Sequence, residues 1–470
     1  MLANLFTEFG FAQSKHDPCI FFLISDRPAF LVDDASKIVT DRNFPGTAKC
    51  KHVVDPTTGA TVGFQRLKPD GTPLFHSIFM GNYVDDCAVG FTPGNSDVER
   101  FYKFLVDHDQ HITRDPLTLF LNSHVIKDEE TGDIYVNQSK HSEKLVKDIL
   151  ESQESHDGPI DLNDLKKKML PFPPNYTFEV RTKADDVDEW MTDKRLEDYR
   201  SWAMSLQWVS RTLPGIKYPI CQICRSMSNP TKKNYKDIVT LARWVGANRR
   251  RSLVFRANGD MIVNGCSDSD WAACKMTRKS CTGFGIFIGP CMILCKAQMQ
   301  KLVALSTMEA ELIAMTECAK TLVWFRGLMI ELGFPQVEAT KILVDNQSCI
   351  QMSRSTMSCY RNRHIPLRYY FCKDLIQNGT INPVWVASAD NHSDLFTKCV
   401  TAELFQKHND AMSIEVDEKY FSPQWITAPT PPTSLAEHEM KHLYGSPKGK
   451  EKMTPTLDEG LKELGFTKKD

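Results

Sequence analysis

The sequence lacks a strong excess of charge of either sign. Its 470 residues carry 57 Lys and Arg against 59 Asp and Glu, a net charge of -2. This balance excludes a protein that coats nucleic acid through bulk positive charge, so any such contact must come from local patches. Three basic runs are present, Lys166 to Lys168, Lys232-Lys233 and Arg249 to Arg251. Each run fits either a binding patch or an ordinary solvated surface.

Long hydrophobic runs and cysteine frameworks are also missing. The longest apolar stretch, residues 283–295, is interrupted by Gly289-Pro290 and is too short to span a bilayer. The 15 cysteines show no framework spacing, and the N-terminus lacks the regions of a signal peptide. We therefore expect no membrane role, reduced thiols and an intracellular location, cytoplasmic or nuclear. The CxxC pair Cys221 and Cys224 has no second pair, which favours a buried amphipathic helix over a metal site.

Composition divides the chain into five regions. A hydrophobic content of 41% and a charged content of 25% are typical of globular domains, and the length allows two or three. The regions are a mixed helix-and-strand segment (1–150), a polar, proline-interrupted linker (151–198), a helix-rich segment (199–250), an alternation of strands and helices (251–418) and a tail rich in Pro, Lys and Glu (419–470). Within the first region, residues 35–73 suggest a long loop or an insertion. The tail is predicted to be disordered.

An acidic pair lies between two apolar strands in the first region. Tyr83-Val84-Asp85-Asp86 follows residues 78–82 and precedes residues 87–90. Paired carboxylates suit a polymerase site, in which two metal ions clamp the attacking and leaving oxygens. An Asp-Asp turn of a plain hairpin is the alternative interpretation.

A second set of acids occurs at the ends of elements in residues 251–418. Asp268 and Asp345 each follow a strand-like run, and Asp394 begins a helix. Glu309 and Glu311 lie at the start of a helix for which Ser306 or Thr307 is the expected N-cap. That helix is predicted to bury six residues at helical spacing, Leu312, Met315, Ala319, Leu322, Phe325 and Met329.

Taken singly, each of these acids fits a turn or a helix cap. Four of them at successive element ends of one strand-and-helix unit are harder to explain as caps. Side chains in such positions can converge on one edge of a sheet and bind two Mg²⁺ ions roughly 4 Å apart. The ions would lower the pKa of an attacking water and neutralise charge on the leaving oxygen of a phosphodiester.

Motifs along most of residues 9–400 resemble the C-terminal part of a copia-type LTR retrotransposon polyprotein, a reverse transcriptase followed by a ribonuclease H. The matching stretches, in the family's order, are residues 9–19, 83–86, 199–201, 228–231, 267–272, 278–280, 303–311, 345–346 and 393–398. As a set they are highly specific. A ribonuclease H-like mixed α/β sheet with flanking helices is therefore expected in residues 251–418, after an α+β polymerase palm and a helical connection region.

The resemblance implies a function and a set of site residues. By similarity, Asp268, Glu311, Asp345 and Asp394 are the catalytic carboxylates and the ligands of two Mg²⁺ ions, with Mn²⁺ as a substitute. Glu311 is preferred to Glu309 because an apolar run follows it directly. The implied activity is cleavage of the RNA strand of an RNA–DNA hybrid, and other products of the polyprotein are implied partners. His364 lies in a stretch that also resembles the family and receives no catalytic role.

The polymerase half departs from the family's pattern. The family carries a further metal-binding Asp and the fingers upstream of the segment equivalent to residues 9–11, so the palm is expected to be truncated. Asp85 and Asp86 are then a vestigial metal site, and Asp33-Asp34 is a poor substitute for the missing acid. Asn122 replaces a family Gly, which puts that turn in doubt because Gly adopts positive φ more readily.

Three interpretations follow from these motifs. The first is a Mg²⁺-dependent ribonuclease H without polymerase activity of its own. The second is a non-catalytic nucleic-acid-binding retrotransposon remnant. The third, an active polymerase, needs the missing parts from another polypeptide.

Overall fold

The computed structural model of the chain describes residues 2–28, 30–31, 50–54, 61–66, 75–83, 86–91, 95, 97–109, 112–153, 160–181, 185–257, 260–355 and 366–417. All described residues belong to one compact unit, Met1–Ser422. The predicted disordered tail lies outside the described residues. No helix among those described has the length and apolar character that a bilayer span requires.

The fold is mixed α/β. The helices are α1 (Leu2–Phe9), α2 (Asp97–His108), α3 (Ser139–Glu151), α4 (Asp193–Val209), α5 (Lys217–Cys224), α6 (Lys232–Ala247), α7 (Thr307–Glu331), α8 (Gln347–Arg354), α9 (Pro366–Gln377) and α10 (Ala402–Met412). Short 3-10 helices span Leu162–Asp164, Pro214–Ile216, Ser388–Asp390 and His392–Phe396. The strands are β1 (Ala12–Gln13), β2 (Ile20–Pro28), β3 (Phe30–Leu31), β4 (Cys50–Val54), β5 (Thr61–Arg66), β6 (Phe75–Tyr83), β7 (Asp86–Phe91), β8 (Leu119–Phe120), β9 (Ser123–Lys127), β10 (Ile134–Asn137), β11 (Arg251–Phe255), β12 (Val263–Asp270), β13 (Cys281–Ile288), β14 (Cys291–Met299), β15 (Thr340–Val344), β16 (Ile381–Trp385) and β17 (Ile414–Glu415).

An antiparallel sheet of order β1-β2-β6-β7, the N-terminal sheet, packs against α1 and α2. Its core is aromatic, with the rings of Phe11 and Phe101 4.7 Å apart between centroids. Strands β6 and β7 pair up to Tyr83 opposite Asp86, as the predicted hairpin requires. The palm interpretation of this sheet stays a prediction. Part of the 35–73 stretch, predicted as a loop or insertion, forms β4 and β5. In a separate sheet, β5 pairs with β3 on one side and with β4 on the other.

A two-residue turn joins β8 and β9. Its central residues, Leu121 and Asn122, have φ angles of 50° and 59°. Type I′ turns match the twist of the two strands that they join, and they have positive φ at both central positions. Asn122 therefore adopts the conformation for which the family uses Gly, because Asn is among the residues that tolerate it.

The middle sheet has the order β17-β11-β10-β9-β8. Strand β11 pairs with β10, with Ile134 opposite Phe255, across more than a hundred residues of chain. Helices α3 to α6 form a large core beside it, to which the segment predicted as a linker contributes Leu162, Phe172 and Phe178. The CxxC pair belongs to α5, as the predicted helix requires.

The central sheet has the order β14-β13-β12-β15-β16. Strands β12, β13 and β14 are antiparallel, whereas β15 and β16 run parallel to β12. Helix α7 covers one face, and the six residues that the sequence predicts to be buried in it are all buried: Leu312, Met315, Ala319, Leu322, Phe325 and Met329. The 3-10 helix His392–Phe396 packs on the other face. The largely apolar sequence of β13 follows from this burial on both faces.

Strand β12 is longer than the sequence indicates. Asp268 was expected at its end, but the strand continues to Asp270, which pairs with Cys281 of β13. Its parallel pairing with β15 ends earlier, at Cys266 opposite Leu343. Asp268 therefore lies beyond the last residue pair of β12 and β15, at the carboxyl edge of the sheet.

A buried histidine pair predicts acid sensitivity. The Nδ1 atoms of His408 in α10 and His392 are 3.0 Å apart. Burial, followed by repulsion from His392, lowers the pKa of His408 to about 4. The unfolded chain, with a histidine pKa of about 6.5, binds the additional proton, so stability falls as the pH falls from 6.5 towards 4, by at most about 1.4 kcal/mol per pH unit.

The measurement is urea unfolding at pH 7 and pH 5. We expect the native protein to lose stability between these values and the His408→Gln variant to lose less. The exposed His108 supplies the control, because His108→Gln should leave the difference unchanged. An equal loss in the native protein and in His408→Gln would contradict the assignment.

Candidate metal centre

Four different elements bring the predicted acids to one edge of the central sheet. Asp268 lies in β12, Glu311 in the second turn of α7, Asp345 directly after β15, and Asp394 in the 3-10 helix His392–Phe396. Carboxylate oxygens of Asp268, Asp345 and Asp394 lie within 4.8 Å of one another. Glu311 is not one of these three, but it lies close enough for the charges of Asp268 and Asp345 to raise its pKa.

The structure separates the two glutamates at the start of α7. Ser306 is the N-cap, and its Oγ accepts a hydrogen bond from the Glu309 amide at 3.1 Å. Glu309 Oε2 in turn accepts from the Leu305 amide at 2.6 Å, so this side chain serves the helix end. Glu311 is buried, and its Oε1 accepts from the Ser269 amide at 3.2 Å. Its Oε2 has no hydrogen-bond partner among the described residues.

Asp345 is positioned by its neighbours at the ends of β15 and β16. The Ser388 hydroxyl donates to Asp345 Oδ2 at 2.6 Å. The indole Nε1 of Trp385 donates to the Asp345 carbonyl at 3.2 Å. Asn346 caps α8, because its Oδ1 accepts from the Cys349 amide at 2.9 Å. Asp345 therefore has one carboxylate oxygen fixed by Ser388 and turns towards the other acids.

The 3-10 helix that carries Asp394 is tied to the central sheet. Asn391 Nδ2 donates to the Ser267 carbonyl at 3.0 Å, and Asn391 Oδ1 accepts from the Ser393 hydroxyl at 2.5 Å. Gly283 of β13 permits the close approach, since a Cβ there would lie 2.7 Å from the Cβ of Phe396. The 3-10 helix therefore packs directly against β12 and β13.

Two residues that received no role from the sequence complete the centre. The Thr397 hydroxyl donates to Asp268 Oδ2. The Lys398 Nζ atom lies 2.9 Å from Asp394 Oδ1 and 3.9 Å from Asp268 Oδ2. Lys398 follows Asp394 by four residues, and this spacing within the 393–398 motif is the signal that could have indicated the pairing.

Burial, together with repulsion from neighbouring carboxylates, raises the pKa values of Glu311, Asp345 and Asp394. Burial raises the pKa of Glu311 well above its usual range, and Asp268 and Asp345 add to the shift. Burial, followed by repulsion from Asp268, raises the pKa of Asp394 to about 7. Burial also raises the pKa of Asp345, although its hydrogen bond from Ser388 opposes the shift. Burial lowers the pKa of Lys398, but attraction to Asp268 and Asp394 raises it overall.

The donor set fits divalent cations. Carboxylate oxygens are the ligands that Mg²⁺ and Mn²⁺ prefer. Buried like charges and a buried carboxylate oxygen without a partner are costly unless a cation compensates them. Lys398 supplies one positive charge to a group of four acids, so the site retains room for further positive charge.

Among the described residues, the other acidic candidate from the sequence lies apart from this centre. Asp86 is exposed at the start of β7 in the N-terminal sheet, whereas Asp85, Asp33, Asp34 and His364 lie outside the described residues. Arg249 and Arg251 are bonded within the fold: Arg249 Nη2 donates to Asn163 Oδ1 at 2.6 Å, and Arg251 Nη2 to Asp410 Oδ1 at 2.6 Å. This run therefore stabilises the fold through at least two of its members.

Comparisons with known proteins agree with the motifs. The chain is 26% identical over 294 residues to the retrovirus-related Pol polyprotein from transposon TNT 1-94 of Nicotiana tabacum, which covers 62% of this chain and 21% of the polyprotein. It is 25% identical over 209 residues to the corresponding polyprotein from transposon RE1 of Arabidopsis thaliana, covering 44% of this chain and 14% of that one. The predicted resemblance to Pol polyproteins of copia-type retrotransposons is confirmed.

The matched region is only part of each polyprotein. This chain spans about a fifth of the length of the tobacco polyprotein. An uncharacterized mitochondrial protein of Arabidopsis thaliana is 29% identical over 200 residues, which cover 42% of this chain and 75% of that protein. No family model matches.

Solved structures of ribonucleases H match part of the chain. An RNase H1 isolated from compost is 10% identical and covers 31% of this chain and 97% of its own, with a TM-score of 0.24. The N-terminal RNase H domain of a Mycobacterium tuberculosis protein is 12% identical, with coverages of 33% and 98% and a TM-score of 0.22.

Proposed function

We propose that the region from β12 to α10 is a ribonuclease H that cuts the RNA strand of RNA–DNA hybrids with the help of two Mg²⁺ ions. The observation that carries this proposal is the convergence of Asp268, Asp345 and Asp394 within 4.8 Å, with Glu311 beside them. Such convergence from four separate elements is unlike a set of helix caps, and it is the arrangement that metal-assisted phosphodiester hydrolysis needs.

The four carboxylates would hold the ions. Bound there, divalent ions supply a nucleophilic water and stabilise charge on the phosphoryl oxygens. Mn²⁺ is the expected substitute because it accepts the same oxygen ligands. Restriction to RNA–DNA hybrids rests on the motif resemblance to ribonuclease H.

Residues around the acids prepare them for this role. Ser388 and the Ser269 amide each fix one oxygen of a carboxylate and leave the second oxygen for another ligand. Thr397 holds Asp268 in the same manner. Fixed orientation reduces the reorganisation required when substrate arrives, which is how preorganised sites lower a barrier. Lys398 limits the repulsion between Asp268 and Asp394.

The test is direct cleavage by the full chain. The protein is incubated with end-labelled RNA–DNA hybrid, with duplex RNA and with duplex DNA, in millimolar Mg²⁺, in Mn²⁺ or in EDTA. We expect metal-dependent cleavage of the RNA strand in the hybrid alone. An intact hybrid, or cleavage that persists in EDTA, would show that the proposal is wrong. Salt-dependent binding of the hybrid without cleavage would favour the non-catalytic remnant instead.

A further inference from the structure

Three residues on one face of α7 are unfavourable for the helix itself. Trp324, Gly327 and Glu331 follow one another at intervals of three and four residues, so they lie on the same face. A glycine inside a helix destabilises it relative to alanine, and a carboxylate in the last turn opposes the helix dipole. Trp324 is a large aromatic residue that stays 37% exposed. Such conflicts with local preference mark places where another part of the protein decides the residue. We call these three residues the α7 stripe.

The turn between β1 and β2 contacts the α7 stripe. The indole Nε1 of Trp324 donates to the His16 carbonyl at 2.6 Å. Glu331 Oε2 accepts from the Ser14 hydroxyl at 2.5 Å, and Glu331 Oε1 accepts from the Lys15 amide at 3.2 Å. His16 Nδ1 lies 3.0 Å from the same Oε1. The carboxylate at the end of α7 therefore contacts three groups of this turn.

The His16 ring accounts for the glycine. A Cβ at position 327 would lie 1.9 Å from His16 Nε2, and the next two atoms that it would meet, at 2.5 and 2.6 Å, belong to the same ring. The ring is held on its other side, because its Nδ1 faces Glu331, and the His16 carbonyl accepts from Trp324. Any side chain at position 327 would therefore displace the ring from its contact with Glu331.

Residues 14–17, which we call the Ser14 turn, are held in shape by their own hydrogen bonds. Ser14 Oγ accepts from the amides of His16 and Asp17, each at 3.0 Å. Asp17 Oδ1 in turn accepts from the Cys19 amide at 2.9 Å. A turn that is fixed in this way loses little conformational entropy when it docks.

The contact extends from the Ser14 turn to the N-terminal sheet. Phe21 and Met80 belong to the core that this sheet shares with α1 and α2, so their neighbours Ile20 and Phe79 point to the opposite face. The ring of Phe79 lies 6.5 Å from that of Phe334, just after α7, and Ile20 packs against the core of the central sheet. This face of the N-terminal sheet is therefore an interface with the region that carries the acidic centre.

We propose that the α7 stripe is a docking site for the Ser14 turn, through which the N-terminal sheet is fixed to the region of the acidic centre. Helix α7 then has two separate tasks, because its second turn supplies Glu311 and its last turns hold the N-terminal sheet. Gly327 follows Glu311 by 16 residues, roughly 24 Å along the helix axis. Docking needs no bound metal or nucleic acid, so it is measured independently of cleavage.

The first experiment compares the thermal unfolding of four full-length proteins: the unaltered chain, Gly327→Ala, His16→Ala and the double variant. In the unaltered background, Gly327→Ala should lower the Tm, because the methyl group displaces the His16 ring. In the His16→Ala background the same change should raise the Tm, because Ala inside a helix favours folding about two- to fivefold over Gly. A shift of the same sign in both backgrounds would overturn the inference.

Hydrogen exchange measures docking at the N-terminal sheet itself. Glu331→Gln keeps the size of the side chain but removes its charge, and hydrogen bonds to charged groups are the stronger class. Peptides that cover residues 11–24 should therefore exchange about tenfold faster in this variant. Peptides from α6 should exchange as in the unaltered protein, which verifies that the variant is folded.

Glu317→Gln is the matched control on the same helix. Glu317 bonds Lys320 within α7, at 2.8 Å, so its replacement should leave the exchange of residues 11–24 unchanged. Equal exchange of these residues in Glu317→Gln and Glu331→Gln would contradict the docking site.

Sedimentation distinguishes docking within one chain from exchange between two chains. The sedimentation coefficient should be the same for the unaltered protein and for Glu331→Gln. A dimer that Glu331→Gln dissociates would place the Ser14 turn of one copy on the α7 stripe of another, and the inference would be wrong.

Discussion

Glu311→Gln is expected to abolish cleavage of the hybrid and, at the same time, to stabilise the metal-free protein. Gln is nearly isosteric with Glu and keeps the acceptor for the Ser269 amide, 3.2 Å from Glu311 Oε1. It cannot supply the negative charge that a metal ligand needs. We expect a rate loss of at least about 100-fold, the range found when one preorganised charge-stabilising group is removed.

The expected gain in stability follows from the same burial. Burial and the carboxylates of Asp268 and Asp345 raise the pKa of Glu311, so its charged form is unfavourable in the folded protein. A carboxyl group with a raised folded pKa costs no stability below its unfolded pKa of about 4.3, and the cost grows as the pH rises towards the folded value. Glu311→Gln should therefore raise the Tm in EDTA at pH 7.5 and leave it nearly unchanged at pH 4.

Glu309→Gln is the matched control, two residues away on the same helix. Glu309 Oε2 accepts from the Leu305 amide, and Gln keeps an acceptor for it. The replacement therefore removes only the favourable negative charge near the helix N-terminus, about 0.3–1 kcal/mol. Cleavage should persist in this variant. Equal rate losses in the two variants, or a lower Tm for Glu311→Gln in EDTA at pH 7.5, would show that the assignment of Glu311 to the metal site is wrong.

Lys398→Met should make the protein depend on divalent metal for its stability. The Nζ atom of Lys398 is 2.9 Å from Asp394 and 3.9 Å from Asp268, and the replacement leaves these acids without compensation. Removing one partner of a fully buried ion pair costs about 3–5 kcal/mol, and the 39% exposure of this side chain reduces the expected loss to about 1–3 kcal/mol. Added Mg²⁺ should then raise the Tm of the variant more than that of the unaltered protein.

Thermal unfolding with and without Mg²⁺ measures this coupling. Lys407→Met is the control, because Lys407 forms an exposed ion pair with Asp390 on the neighbouring helix. Such pairs contribute about 1 kcal/mol or less, and this one does not involve the acidic cluster. If Lys398→Met gained no more from Mg²⁺ than Lys407→Met does, Lys398 would not share the site with the metal.

The sequence was most informative where element ends coincide with acids. Asp345 follows a short apolar strand, and Glu311 lies near the start of a helix with apolar residues at helical spacing, which are the local positions that the sequence pattern predicts. Parallel pairing of β12 with β15 then brings Asp268 to the same edge as Asp345, which the alternation of strands and helices suggested. The full length of β12 was missed because its last residues, Ser267 to Asp270, are polar and are held by pairing with β13.

Other features depend on contacts that no local pattern carries. Lys398 and Thr397 were visible in the motif, but only the turn of the 3-10 helix points them at Asp268 and Asp394. The position of Trp271 depends on a hydrogen bond from its indole to the Ala304 carbonyl, 33 residues away along the chain. The pairing of β10 with β11 joins segments separated by four α-helices, and the periodicity of the sequence does not indicate strand partners so far apart.

That pairing determines how the chain can be divided. A polypeptide starting at Arg251 would keep β11 but lose β10, and its unpaired edge would be open to aggregation. It would also lose Asp133, which accepts two hydrogen bonds from this region. The Ala257 amide donates to Asp133 Oδ1 at 2.9 Å, and Arg256 Nη1 donates to Asp133 Oδ2 at 2.6 Å. The smallest soluble fragment that retains the acidic centre should therefore begin upstream of β9, and expression trials cut at residue 250 would underestimate the stability of that centre.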